Sequence, residues 1–298
     1  MNRKVIFLKA IVICFFLTIF SPINTFGQEA ETVLIPEGQF QMGIPPKMIA
    51  YLAELGKGVP HMDEEMAYSW FADETPEHTV TVDSFLINKY EVTNEQYRKF
   101  INQTGYRSGG NWTEWSGQDR ENHPVVGVTW NDASSYCEWR GMSLPTEVQW
   151  EYAAKGGTTN KLFTWGDEPD PDLANYREQG ESFFEGIIRL MGLREIDTRQ
   201  VGSYPPNGYG LYDMLGNVSE WCRNLHYPYP GGPEDTSLYD EGRVVRGGCW
   251  DDPNPVFVRI TRRTAFPEDS HSYSRGFRCV KVVEGNQNEQ VLREEDIF

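Results

Sequence analysis

Helix-length apolar periods are scarce in this 298-residue chain, while glycine, proline and aromatic residues are dense, at 28 Gly, 18 Pro, 16 Phe, 15 Tyr and 9 Trp. Gly and Pro interrupt regular elements, and Tyr and Trp carry a polar tip that needs a hydrogen-bond partner once buried. Such a chain reads as loop-rich and held by many local hydrogen bonds. At this length one large domain or two ordinary ones are possible, and no internal repeat or linker separates two domains. With 44 acidic against 27 basic residues the formal charge is -17. Phosphate recognition needs clustered Lys and Arg, so nucleic acid is excluded; divalent cations suit the chain better than anionic partners.

Residues 1–27 read as a signal peptide. Arg3 and Lys4 precede the apolar run Val5 to Phe20, broken by Lys9, and Thr25-Phe26-Gly27 supplies small residues for cleavage before Gln28. The run is too short for a permanent span. No transmembrane segment is expected after cleavage, and the protein is expected to be exported: periplasmic, cell-surface or secreted. Cys14 leaves with the leader, and Cys137, Cys222, Cys249 and Cys279 remain. In an exported chain without a CxxC pair they favour disulfides over zinc, and counting leaves three connectivities open.

Within 28–283, Thr32 to Gly43 reads as a strand, a Pro-Glu-Gly turn and a second strand, and Thr79 to Phe85 alternates as another. Residues 45–71 stand apart as a surface insertion or lid: Met48, Ile49, Tyr51, Leu52 and Leu55 have helical spacing, and Met62 to Phe71 is acidic and aromatic. Thr93 with Gln96 and Thr146 with Gln149 are capping boxes, closed by Gly105 and Gly156. Asn131 or Asp132 is expected to cap a helix bearing Tyr136 and Cys137. Beyond Leu162 the one helical signal is Phe183 to Met191, and residues 284–298 form a polar tail.

The succession PEGQFQMG, DETPEHTVTVDSFLINKYEVTN, HPVVGVTWNDASSYCEWRGMSLPTEVQWEYAAKGG, FTWGDE, PPNGYGLYDMLGNVSEW, RVVRGGCW and RGFRC resembles the formylglycine-generating enzyme (sulfatase-modifying factor) family. Seven pieces in order cover nearly the whole mature chain. The resemblance implies a single compact α+β domain with little regular secondary structure, a variant of the C-type-lectin fold. It also implies that catalytic members oxidise a cysteine of exported sulfatases to formylglycine, with molecular oxygen and copper held by two cysteines.

Those cysteines form a C-x-x-x-x-C pair after the RGG motif, and the matching positions here are Asp252 and Phe257. Neither residue offers the soft thiolate that copper(I) prefers or passes through a mixed disulfide. Cys249 stands three positions early, where catalytic members resemble a serine. The five histidines lack i, i+4 spacing, and no GxSxG motif is present. A degenerate cleft at Cys249, Asp252 and Phe257, with no catalytic residue and no copper, is the expectation.

Asp213 and Glu220 bracket a turn containing Gly216. Calcium takes six to eight hard oxygens, which carboxylates and turn carbonyls supply, although spacing alone is a weak signal. The resemblance implies a calcium site formed by Asp213, Gly216, Val218 and Glu220, completed by Glu91 of the YEVTN motif. A second family site begins at Ala174-Asn175 with Tyr176, but its later Asp falls where 183–199 diverges.

The resemblance also implies a bridge between Cys137 and Cys279. A second family bridge has lost both partners, at Ala154 and Arg262. Cys222 and Cys249 follow the EW and RGG motifs, segments expected to run as neighbouring strands within disulfide reach. A Cys222–Cys249 bridge is therefore expected, its rival a free pair at the cleft edge. Asn102, Asn111 and Asn217 begin glycosylation sequons. Trp112, Trp115, Trp130, Trp139 and Trp150 are expected to fill the core. Arg243, Arg246, Arg259, Arg262, Arg263, Arg275 and Arg278 either pair with carboxylates or line a cleft for an acidic or peptide ligand.

These features point to an exported, non-catalytic, calcium-stabilised domain that binds a protein or glycan partner in the envelope or outside the cell. The alternative is a formylglycine-generating oxidase with rearranged thiols at Cys222 and Cys249. A third reading is an envelope-assembly component docking through 45–71.

Overall fold

The computed structural model describes residues 30–59, 62–177, 197–239 and 241–283. The expected signal peptide, the 183–191 helix and the polar tail lie outside them.

Two strands at the start, β1 (Thr32–Ile35) and β2 (Gly38–Met42), face two later ones, β3 (His78–Val82) and β4 (Phe85–Asn88). β1 pairs with β4 and β2 with β3, all antiparallel. Proline lacks the ladder N–H, and Pro36 sits where this long ribbon breaks into two sheets. The last strand, β9 (Val280–Val282), adds to β4 and ties the end of the domain to its beginning. The other sheet runs β7 (Arg263–Phe266), β6 (Arg243–Arg246), β5 (Ser219–Leu225) and β8 (Arg275–Gly276), with β5 and β8 parallel.

Residues 45–71 form two helices, α1 (Met48–Leu55) and α2 (Glu64–Phe71), at the tip of the ribbon. Ile49, Leu52, Ala67 and Phe71 are buried in the main core, whereas Tyr51 and Tyr68 stay exposed. The segment is thus one-sided: its inner face is core and its outer face is surface.

Three further helices begin with capping boxes: α3 (Asn94–Thr104), α4 (Trp130–Trp139) and α5 (Glu147–Lys155). Reciprocal bonds between N-cap and third residue satisfy otherwise orphaned N–H groups. The cap of α4 corrects the sequence expectation. Thr129 is the N-cap, and Asp132 is its reciprocal partner, accepting from Thr129 N at 2.9 Å. The Asp132 carboxylate also accepts from Ser108 Oγ and from the amides of Gly109 and Gly110. A residue with those partners belongs inside the first turn.

β5 separates two cores. Cys222 points into the first, with Trp150, Phe71 and Phe40; Trp221 points into the second, with Tyr97, Phe100, Tyr136 and Phe277. Strand alternation accounts for the split. Trp112 and Trp150 are core residues, Trp130 and Trp139 pack partly buried at its edge, and Trp115 stacks near Tyr273. Cys137 on α4 and Cys279 before β9 are bridged, with Cα atoms 5.7 Å apart.

The expected Cys222–Cys249 bridge does not form, and both are free thiols. β5 and β6 are indeed neighbours, but their register pairs Glu220 with Arg246 and Trp221 with Val245. Cys249 comes after Arg246 and the Gly247-Gly248 turn, on the far side of the strand end from Cys222. Cys222 faces the core instead.

Candidate functional site

Two loops carry the candidate residues, the turn at 213–220 and the loop at 247–257. They touch: Gly216 N donates to Gly247 O at 2.9 Å, and Trp250 N donates to Asn217 O at 3.0 Å.

The turn needs left-handed backbone at Asp213, Gly216 and Asn217, with φ of 53°, 75° and 56°. At Gly216 even a Cβ is excluded, because it would lie 2.5 Å from Asn175 O. Glu91, Asp213 and Glu220 are all buried there, at 1%, 7% and 1% exposure, and Val218 is buried with them. Glu220 is fully engaged: Arg278 donates to both its oxygens at 2.7–2.9 Å, and Trp150 Nε1 donates at 2.8 Å. Glu91 accepts from Asn217 Nδ2 at 3.0 and 3.1 Å, and Asp213 accepts from Gly202 N at 2.6 Å. Burial, reinforced by Asp213 and Glu220, pushes Glu91 well above the usual carboxylate range. Burial pushes Asp213 up to about 6. Arg278 is the one guanidinium paired into this group of three carboxylates among the described residues.

The donor set fits a calcium ion in kind and in charge: hard oxygens, with more buried acid than the single guanidinium balances. Its side chains do not converge on one point, and no group of three His, Cys, Asp or Glu among the described residues forms a ready cluster. Asn175 braces the turn. Its carbonyl accepts from Asn217 N at 2.8 Å, and its amide donates to Asp197 O and Asn217 Oδ1. Tyr176 packs against the first core, and most of the stretch expected to complete a second metal site lies outside the described residues.

Asn217 is the hub that sequence reading missed. Its pattern reads as a glycosylation sequon, yet the side chain is 1% exposed and bonded to Glu91, Asn175 and Arg199. Its place inside the acidic turn was the available signal.

The loop at 247–257 walls a cavity of about 270 Å³ lined by Cys249, Asp252, Phe257, Arg262 and Arg275, together with serines. The structure thus gathers the three expected cleft residues. Asp252 Oδ2 accepts from Cys249 N at 2.7 Å. Burial pushes the Asp252 carboxyl up to about 6 and, helped by the Asp252 charge, the Cys249 thiol up to about 12. Cys222 lies well above the usual thiol range too, through burial and Glu147. Neither thiol is activated, since nucleophilic cysteines need a stabilised thiolate. Phe257 packs against Trp70 and Phe71, with ring centroids 5.4 and 6.2 Å away. The helical excursion therefore backs the cleft wall.

The architecture and its two loops define a sulfatase-modifying-factor fold with the cleft chemistry altered. Residues 20–283 match the sulfatase-modifying factor enzyme 1-like domain, and the chain belongs to that family. The formylglycine-generating enzyme of Mus musculus is 34% identical over 268 residues, covering 69% of this chain and 68% of the relative. That of Streptomyces coelicolor is 32% identical over 314 residues, covering 87% and 90%. Inactive C-alpha-formylglycine-generating enzyme 2 of Bos taurus is 30% identical over 300 residues, covering 85% and 88%. The solved structure of PvdO from Pseudomonas aeruginosa matches with a TM-score of 0.61 at 26% identity, covering 85% of this chain and 94% of that one. Among the described residues, no helix is long and apolar enough to cross a membrane.

Proposed function

We propose that this protein is an exported, non-catalytic member of the family, stabilised by calcium, whose cleft binds a protein or glycan partner. One observation carries the loss of catalysis: the two positions that hold the family's thiol pair are a half-buried carboxyl and a phenyl ring packed against the core, Asp252 and Phe257. The residues do not fit copper(I), which favours thiolate ligands. The remaining cleft thiol, Cys249, is held protonated by burial. An inactive relative of similar length and identity supports the same reading. Export rests on the sequence of residues 1–27.

Calcium would be held by Asp213, Glu91 and the carbonyls of Gly216 and Val218, with Glu220 shared with Arg278. It would supply the positive charge that three buried carboxylates and one guanidinium lack.

The deciding experiment incubates the purified protein with copper, oxygen and a cysteine-containing sulfatase peptide, followed by mass spectrometry. No aldehyde product is expected. Turnover that disappears in Cys249→Ser would overturn the reading and establish the oxidase with rearranged thiols. A pull-down from the native envelope fraction, with and without calcium, tests partner binding.

A further inference from the structure

Seven arginines crowd residues 243–278, and five meet a carboxylate: Arg243 with Glu268, Arg246 with Glu147 and Glu151, Arg259 with Glu74, Arg263 with Glu147 and Arg278 with Glu220. Arg262 donates to Trp70 O at 2.8 Å and feels the charges of Asp73, Glu74 and Asp252. Arg275 is different. It is 5% exposed, lines the cavity and has no carboxylate partner among the described residues. Its guanidinium sits 3.6 Å from the Phe266 ring centroid and 4.6 Å from that of Trp221. Nη1 donates to Ser270 Oγ at 3.1 Å, while Nε is buried with no partner.

Aromatic faces offset part of the cost of burying this charge. They cannot accept its N–H groups in the plane where a guanidinium donates, and an uncompensated buried cation is unfavourable. The cavity supplies what an incoming anion needs around that cation: hydroxyls of Ser219, Ser272, Ser274 and Thr264, and an apolar wall at Phe257. Asp252 does not serve as the missing counter-charge, because it faces the Cys249 amide and the field of Arg262. At about 270 Å³ the space takes one small side chain or acid. The overall charge of -17 disfavours polyanions, which leaves a small acid of one or two charges.

We propose that this cleft binds a carboxylate, paired to Arg275 and flanked by the cavity hydroxyls. The acid is either the side chain of a peptide Glu or Asp or a free short-chain acid. The inference rests on reading the cleft as a binding site.

The test titrates the ¹⁵N-labelled full chain with N-acetylglutamate amide, its neutral isostere N-acetylglutamine amide, glutarate, and a glutamate flanked by alanines in a capped peptide. The readout is the Arg275 Nε–H resonance, assigned by its loss in Arg275→Lys. The acidic probes are expected to shift it saturably and to bind roughly tenfold or more tightly than the glutamine isostere. Tighter binding of the peptide supports a peptide source, and tighter binding of glutarate a free acid. Arg275→Met should erase the preference for acid. If that variant does not fold, Ser274→Ala should weaken the acidic probes several-fold and leave the isostere unchanged. Equal binding of glutamate and glutamine probes, no saturable binding, or binding that leaves Arg275 Nε–H unmoved overturns the proposal. Formylglycine formation in the assay above would overturn the non-catalytic reading alone, because the carboxylate preference is measured independently of it.

Discussion

The turn at 213–220 and the loop at 247–257 are hydrogen-bonded to each other, yet Glu220 of the one and Asp252 of the other have opposite relations to the fold. Glu220 gives both oxygens to Arg278 and one to Trp150, so its removal would strand a buried cation and an indole N–H. Asp252 accepts a main-chain bond and is otherwise a half-buried acid pushed up in pKa. The same functional group is a structural requirement in one loop and a burden in the other. That contrast explains how the family's acidic turn stays matched while its cleft chemistry is replaced: the turn is wired into both cores, and the cleft loop borders a cavity.

The largest expected effect breaks the wired side. Glu220→Gln should lower unfolding free energy by about 3–5 kcal/mol, the usual consequence of removing one partner of a buried pair. Asp252→Asn should cost nothing comparable in the same denaturant titration. Equal losses in both variants would abolish the distinction between the loops.

Calcium comes next. A ligand that binds the native state alone, at a hundredfold excess over its Kd, adds about 2.7 kcal/mol. Chelator should lower the melting temperature, and terbium bound at the turn should show luminescence sensitised by Trp150, whose Nε1 lies 2.8 Å from Glu220. A melting curve indifferent to chelator would count against a structural ion.

A smaller effect sharpens the cleft side. The Asp252 carboxyl titrates at about 6 in the native state, above its ordinary value of 3.8. The native state therefore holds the proton more tightly. This group's stabilisation is complete below pH 3.8 and is lost as pH rises through about 6. Asp252→Asn should gain on the wild type at pH 7.5 relative to pH 4 by on the order of 1 kcal/mol, allowing for screening of a partly exposed group. Parallel stability–pH curves for the two proteins would show that Asp252 is not the group responsible.

The smallest effect is chemical. Alkylation of Cys249 at neutral pH should be slow, because a thiol pushed up to about 12 carries almost no thiolate. After denaturation without reductant, peptide mapping should find alkylated Cys222 and Cys249 and a Cys137–Cys279 link. Rapid labelling of the native protein would reopen redox chemistry in the cleft.

Much of this was legible before any tertiary structure. Thr93 and Thr146 announced their helices, because a capping box is a contact between residues three apart. The loop-rich character followed from Gly, Pro and aromatic density, and the motif order carried the α+β class and located Asp213, Glu220, Cys249, Asp252 and Phe257. Asp132 was assigned to the wrong cap position because its other partners, the 108–110 loop, lie more than twenty residues away. Arg278 and Arg275 looked alike, as two basic residues in RGFRC.

Sequence by itself determined which groups are present and every relation carried over a few residues: caps, turns, strand alternation and the absence of a thiol pair at 252 and 257. Tertiary structure decided which of those groups share a low-dielectric neighbourhood. The register of β5 on β6 separated Cys222 from Cys249. The parallel seating of β8 on β5 set Arg278 on Glu220 and left Arg275, three residues earlier, between Trp221 and Phe266. Burial and pairing depend on positions summed over long stretches of chain, so a one-residue change of register exchanges a satisfied guanidinium for an unsatisfied one.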